Sequence, residues 1–424
     1  MKVSRSGMVT FLATLGVLAS VPAANAAAGS LDQTFGSGGI VTTSYNGPFP
    51  TAAALQPDGR IVVITGFDND PAATEAFGVL RYQGNGAPDS SFGAGGRTTA
   101  AFTNFINSPN DLALQQDGKI VVAGNAESAD GTVSEFAVAR FNTNGTLDSS
   151  FGAGGKVTTN FVGVKAGGVS NPAESVLIQP DGKIVVGGLA SQCPRSCPAQ
   201  SALARYNANG SLDTSFGRGG MVAITAIGGI TTLAEDAAGH IFALNGALIA
   251  EFSAAGALQS QVTPSAITIA SSRGTSSVFQ PDGRYLSFTG GAGFSRHDID
   301  AKVVRYLPAG AVDPSFANSA FDFSAENTVA SDNVQALAVQ PNGQVIAAGL
   351  HSANGNASFT VARLNASGGL DPAFGSGGTL TTNLPGGGQA SVVLIQPDGK
   401  ILVIGQGFIP GGGVNLILAR YLAG

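Results

Sequence analysis

The sequence predicts an all-β fold: a seven-bladed propeller with four antiparallel strands per blade, its ring closed by the N-terminal strand. Three observations predict it. A motif of the form Leu-Asp-x-x-Phe-Gly recurs along the chain, a Gln-Pro-Asp-Gly turn follows each copy, and short β-branched runs fill the intervals.

The Phe of the first motif falls at Phe35, Phe92, Phe151, Phe216, Phe316 and Phe374, at intervals of 57 to 65 residues with one of 100. The long interval hides a degenerate copy near Leu258. The turn places its Gly at Gly59, Gly118, Gly182, Gly283, Gly343 and Gly399, and Asp236 to Gly239 supplies a weak seventh. Each unit reads as four strands, in the third unit Lys156 to Phe161, Ser175 to Gln179, Lys183 to Gly188 and Ser201 to Asn207. Pro-Asp-Gly-Lys between the second and third of these fits a type I turn with Gly left-handed, since Pro presets φ and Gly accepts φ > 0 without strain. Four strands in each of seven such units is the arithmetic of a propeller. A β-solenoid is the alternative, but its coils are usually shorter and it needs distinct end caps.

Residues 1–26 stand apart from the repeats. Lys2 and Arg5 precede an apolar run from Met8 to Val21 that ends at Ala24-Asn25-Ala26, the pattern of a signal peptide. The expectation is therefore an exported, periplasmic or extracellular bacterial protein with one propeller domain over 27–424. Without Lys2 and Arg5, 19 basic residues face 27 acidic ones, a net charge of −8 that disfavours nucleic acid and anionic membrane as partners. No later stretch reaches the length of a membrane-inserted helix. Cys193 and Cys197 lie close together in a Pro-containing polar loop, which reads as a local disulfide; a zinc site would need further ligands that the neighbouring sequence does not offer.

With the repeat laid out, the chain resembles the delta-60 repeat family. Leu147 to Gly155 and Gln179 to Val186 match its pattern almost letter for letter, and the likeness covers nearly all of Gly29 to Gly424. The unit between the fourth and fifth copies departs, with Glu251 where Arg is expected and Gln259 where Asp is expected. The resemblance implies an exported bacterial propeller and no particular activity.

A blade runs from strand a at the axis to strand d at the rim, so the a–b and c–d turns share one face. With Ser175 to Gln179 as an inner strand, that face carries near-identical turns. The variable loops, 67–76, 125–135, 189–200, 290–301, 351–358 and 406–413 among them, share the other. Asn245-Gly246 is the shortest connection there and reads as a type I′ hairpin. Variation gathered on one face is the pattern of a binding face, although relaxed constraint on surface loops gives the same picture. Eight residues before each turn Gly stand Thr51, Asn110, Glu174, Thr231, Thr275, Gln335 and Ser391. All are polar and share one phase, which makes them the candidate ligand ring at the channel mouth; polar strand starts emerging into solvent are the plainer explanation.

The function expected is that of a binding or scaffold module whose partner is an unidentified protein, glycan or small molecule. The alternative is a lyase- or hydrolase-like enzyme at the channel mouth, with Glu174, Asp111, His297 and His351 as its only candidate groups. No catalytic residue, cofactor or metal site is assigned. Asp68-Asn69-Asp70 and Asp298-Ile299-Asp300 place oxygen ligands in loops without completing a calcium set. The chain has no Trp, and Tyr82, Tyr206, Tyr306 and Tyr421 share one repeat position, which marks them as packing residues rather than a sugar platform.

Arg and Asp stand eight apart in five copies: Arg81 and Asp89, Arg140 and Asp148, Arg205 and Asp213, Arg305 and Asp313, Arg363 and Asp371. The degenerate copy loses both. Arg420 and Asp32 remain as orphans at the two ends, and they meet as a structural ion pair if residues 40–45 serve as the outer strand of the last blade. The competing reading is that each Asp merely caps its own turn.

Overall fold

Seven four-stranded antiparallel sheets make up the computed structural model, which describes residues 27–44, 47, 49–67, 75–102, 105–128, 133–161, 172–191, 200–259, 267–269, 277–288, 301–318, 320–321, 323, 330–353, 356–409 and 413–424. Residues 1–26, where a signal peptide is expected, Cys193, Cys197, Thr275, His297 and both calcium-like loops lie outside the described residues. In strand order a to d, blade 1 is Ala52–Leu55, Ile61–Phe67, Ala76–Tyr82 and Arg97–Ala100. Blade 2 is Phe105–Leu114, Ile120–Ser128, Ser134–Phe141 and Lys156–Thr159, and blade 3 is Ala173–Ile178, Ile184–Ala190, Gln200–Tyr206 and Met221–Ile224. Blade 5 is Ser277–Phe279, Tyr285–Phe288, Ala301–Tyr306 and Ala320–Phe321, and blade 6 is Ala330–Val339, Val345–Ala353, Asn356–Leu364 and Thr379–Thr382. The seven a strands touch neighbour to neighbour in a closed circle, which places them around the axis.

Blade 7 comprises Gly388–Ile395, Ile401–Phe408 and Val414–Tyr421, and its outer strand is Ile40–Ser44 from the other end of the chain. Ile40 pairs with Ala419 and Ser44 with Asn415, the closure expected from the orphan pair. The c–d turn of this blade is itself split between the chain ends. The Gly29 N–H donates to Leu422 O at 2.8 Å and the Leu422 N–H to Ser30 O at 2.9 Å. Within blade 1 the continuous chain makes the same two bonds, from Gly86 to Gln83 and from Gln83 to Ala87. Gly29 adopts φ +86° where Gly86 adopts φ +90°.

Blade 4 departs from the pattern. Strands a, b and c are Thr232–Asp236, Ile241–Asn245 and Leu248–Phe252, but the fourth strand, Ile267–Ile269, pairs with strand a at the inner edge instead of with strand c at the rim. The b–c hairpin here has Gly246 at φ +57° and no positive φ at Ala247, so it is of type II′ and not type I′.

The core is divided among the seams. Seven clusters of buried apolar side chains each draw on two adjacent blades. The cluster between blades 4 and 5 is the smallest among the described residues. It is built on aromatic rings, with Tyr285 stacked on Tyr306 at 5.0 Å and Phe279 tilted against Tyr285 at 5.8 Å. The Tyr residues of the repeat are indeed packing residues: Tyr206 is fully buried and its hydroxyl donates to Thr159 Oγ1 on the rim strand of blade 2 at 2.7 Å.

Arg residues of strand c fasten six of the seven seams. Arg140 lies over its own Phe151 ring at 4.6 Å, donates through Nε to Asp148 Oδ2 at 2.8 Å, and reaches through Nη1 to the Ala208 carbonyl of blade 3 at 2.6 Å. Arg81, Arg205, Arg305 and Arg363 repeat this onto the carbonyls of Thr143, Ala254, Ala366 and Ala423, each in the next blade. Arg420 completes the circle, bonding Asp32 at 2.9 Å and the Gly84 carbonyl of blade 1 at 2.7 Å. Glu251 occupies this position in blade 4, so the blade 4 to blade 5 seam lacks the fastening. The approach is close enough to require Gly in the receiving turn: a Cβ on Gly210 would lie 2.8 Å from Gly152 N, at φ +84°.

The two readings of the Asp residues prove compatible. Asp148 caps its turn through Oδ1, which accepts the Ser150 N–H at 3.1 Å, and takes Arg140 on Oδ2. Lys119 of the a–b turn adds its ammonium 3.7 Å from the same Oδ2.

Burial pushes the Asp32 carboxyl up, but hydrogen bonds from Thr34, the charge of Arg420 and a hydrogen bond from Lys400 more than reverse this and hold it at about 2. Asp213 and Asp313 are also held at about 2. A carboxylate depressed in the folded state stabilises it above the unfolded value of about 3.9, and that stability is lost as pH falls through the folded value. Urea midpoints should therefore hold steady down to about pH 5 and fall between about pH 4 and pH 2, with a shallower fall in Asp32→Asn. Asp32→Ala should destabilise the protein by about 3 to 5 kcal/mol, because it leaves the buried Arg420 unmatched, and Arg420→Ala by less, because Lys400 still faces Asp32 at 3.3 Å. In the double mutant the loss should be smaller than the sum by about 1 kcal/mol or more; strict additivity in denaturation would show that the pair does not act as a unit.

Candidate functional site

The expected ring of polar residues coincides with a backbone feature. The a–b ladders of blades 2, 3, 6 and 7 shift register at Pro109/Asp111, Ala173/Ser175, Val334/Ala336 and Ala390/Val392. The residue skipped in each is Asn110, Glu174, Gln335 or Ser391. These are β-bulge positions, and a bulge turns its extra side chain away from the regular alternation of the strand. All four are half-buried, as are Thr51 and Thr231.

Several of these side chains lace the inner strands together. Thr51 Oγ1 donates to Pro109 O of the next blade at 2.9 Å, and Asn110 Nδ2 donates to Ala173 O of the next at 2.8 Å. Thr231 Oγ1 donates to Leu244 O within its own blade at 3.1 Å. Gln335 Nε2 bonds Asn333 Oδ1 at 3.3 Å.

His297 lies outside the described residues, and of the other groups proposed for chemistry His351 stands apart from Asp111 and Glu174. Asp111 is fully buried, and its carboxylate accepts the N–H of Leu112 at 2.9 Å and of Val176 at 2.9 Å, with Ser175 Oγ at 3.3 Å. It ties blade 2 to blade 3. His351 pairs through Nδ1 with Asp332 Oδ1 at 2.6 Å, and Asp332 Oδ2 accepts the Phe323 N–H at 2.8 Å, which docks the end of blade 5 on blade 6. Glu174 sits with Asp111 at the second and third a strands, whereas His351 and Asp332 belong to blade 6.

The turn face, expected to be monotonous, carries a cavity of about 630 Å³ at the lower ends of the inner strands of blades 2 to 4. Leu114, Leu177, Ile178, Gln179, Glu235 and Asp236 line it. A smaller one of about 300 Å³, between Gln115, Arg140 and Gln179, adjoins it. Glu235 is 5% exposed and Gln179 donates to its Oε1 at 2.5 Å. Burial pushes the Glu235 carboxyl up, and Asp181 and Asp236 add to this against the hydrogen bond from Gln179 and the charge of Arg205. Nearby, His240 Nδ1 lies 3.0 Å from Asp236 Oδ2 and 3.6 Å from Glu251 Oε1. The signal for this site is in the sequence: Glu235 stands where other copies carry Leu55, Leu114, Ile178, Val339 and Ile395.

Comparison with known proteins supports a propeller repeat family. The family described as a domain of unknown function (DUF5122) beta-propeller matches residues 56–92, 115–151, 179–216, 340–374 and 396–424, segments of blades 1, 2, 3, 6 and 7. No curated protein matches the sequence. Among solved structures, Sqt1 from Chaetomium thermophilum is similar at 13% identity and a TM-score of 0.42, covering 89% of this chain and 98% of that one. Regucalcin, a calcium-binding protein from Agrobacterium tumefaciens, is similar at 12% identity and a TM-score of 0.37, over 94% and 95% of the two chains. An α-L-arabinanase from Penicillium chrysogenum gives 11% identity and 0.38, over 89% and 98%. Binding proteins and enzymes both stand among these neighbours, and nothing about chemistry follows from likeness at this level.

Asp111→Ala should lower stability by about 2 kcal/mol or more, because it strands buried N–H groups at the blade 2 to blade 3 seam. A variant as stable as the parent in urea denaturation would show that the carboxylate is not structural.

Proposed function

We propose that the protein is an exported binding or scaffold propeller of the delta-60 kind, which takes a protein, glycan or small-molecule ligand on its variable-loop face and channel mouth. The observation that carries this reading is the set of bulges: one backbone device, repeated around the axis, presents Asn110, Glu174, Gln335 and Ser391 in turn. A common scaffold with unlike side chains at one position is how a symmetric fold acquires an asymmetric recognition surface. The structural duty of Asp111, whose carboxylate is spent on the N–H groups of Leu112 and Val176, weighs against an enzyme that uses it.

Export fits the split turn. Cleavage after Ala26 would leave Ala28 and Gly29 in place, and Gly375 N–H donates to Ala28 O at 3.0 Å. The a–b turns of the opposite face are an unpromising partner surface because their cations are already paired within their own blades, Lys183 lying 3.0 Å from Asp181 and 3.5 Å from Asp213.

A thermal-shift screen of glycans and small molecules on the mature protein, followed by affinity measurements, tests the reading. Asn110→Ala, Glu174→Ala and Gln335→Ala should each weaken the ligand so found by about three- to tenfold, the worth of one hydrogen bond. If Lys119→Ala and Lys183→Ala abolish binding while the ring variants leave it unchanged, the ligand uses the other face and the reading fails.

A further inference from the structure

We propose that the cavity on the turn face is a binding site for a small organic ammonium ion, held by Glu235 and Gln179 at the seam between blades 3 and 4. This site is independent of the variable-face reading. Glu235 and Gln179 are 5% and 7% exposed, and both line the cavity. Gln179 Nε2 is spent on Glu235 Oε1, while Gln179 Oε1 has no hydrogen-bond partner. The same Gln oxygen is unpartnered in other copies, at Gln56, Gln115, Gln280, Gln340 and Gln396, but there the facing position of the next blade is aliphatic. Only at this seam does an acid stand beside it. The pair therefore presents a surplus of acceptors and lacks donors.

The surrounding charges do not supply what is missing. Lys183 is engaged by Asp181 and Asp213, and Arg205 by Asp213 and by the Ala254 carbonyl. Asp236 is filled by the N–H groups of Ala238 and His240 and by the His240 ring. Glu251 lies beyond His240. Asp181 and Asp236 thus leave a negative potential on the Glu235 carboxyl that Arg205 offsets only in part. An anion is excluded by that sign. Among the described residues no three His, Cys, Asp or Glu side chains converge as a metal ion needs, so the cation that fits is one satisfied by a single carboxylate and an amide oxygen. The walls of Leu114, Leu177, Ile178 and Pro180 suit a short alkyl stem, and about 630 Å³ is within the range of small-ligand sites.

Burial disfavours the charged form of Glu235, so its carboxyl holds its proton to higher pH than a free one. An entering ammonium group replaces that proton as donor, and the proton leaves to solvent. Binding is therefore coupled to proton release, and it strengthens as pH rises toward neutrality while the amine stays charged.

Calorimetric titration of the mature protein with n-butylammonium chloride, in two buffers of different ionisation enthalpy, tests this, with n-butanol as the uncharged control. Saturable binding with net proton release is expected, weakened about tenfold or more in Glu235→Gln and in Glu235→Leu. The second variant restores the aliphatic residue of the other copies and keeps the fold. Three results overturn the proposal: no saturable heat at tens of millimolar, equal binding of n-butanol, or unchanged affinity in Glu235→Gln.

Discussion

The ring depends on one repeated interaction, a buried Arg that belongs to one blade and closes its last hydrogen bond on the backbone of the next. Arg140 is held flat by Phe151 and Asp148, so its free Nη1 points in a single direction, toward Ala208. The guanidinium is suited to this because its donors are fixed in one plane; a Lys could satisfy the Asp but could not face two partners at set angles. A buried pair of this kind adds little net stability over an apolar one. What it supplies is register: each blade so fastened docks on its neighbour in one position, and errors do not accumulate across those six seams. The apolar seams alone, made largely of Val, Ile and Ala, would tolerate sliding.

Much of this was legible in the sequence because it is periodic. The eight-residue spacing of Arg and Asp survives as a pattern since both residues flank a turn of constant length, and the orphans Arg420 and Asp32 pointed to the closure that Ile40–Ser44 makes. The polar ring was visible for the same reason, as a fixed distance from the turn Gly. That these residues are bulges was not visible, because a bulge is a property of the pairing between two strands and leaves no mark on one strand read alone.

What was missed lies in blade 4, where the repeat is eroded. Ile267–Ile269 falls eight residues after Gln259, the spacing that places a rim strand in other copies, yet it pairs with Thr232–Asp236 at the inner edge. Sequence phase cannot choose between two edges of one sheet; the fastening at the rim normally does, and here Glu251 and Gln259 replace it. The cavity beside Glu235 escaped notice for a related reason. A face judged by its turns looks uniform, whereas one acidic substitution at the foot of an inner strand changes what the seam can hold.

The turn assembled from both ends of the chain has a kinetic meaning as well. In blade 2 the fastening links residues 8 apart, whereas Arg420 and Asp32 are separated by 388. Closing so long a loop from an unfolded chain costs about 3 kcal/mol more in entropy than closing the short one. That cost vanishes once the intervening blades have stacked, because the rigid arc carries the two ends to within a few ångströms of each other. Closure of the last blade therefore follows the stacking of the others, and it is the step that joins the residues farthest apart in the chain. Until then Val414–Tyr421 has an unpaired edge, the surface on which two incompletely folded copies would exchange strands.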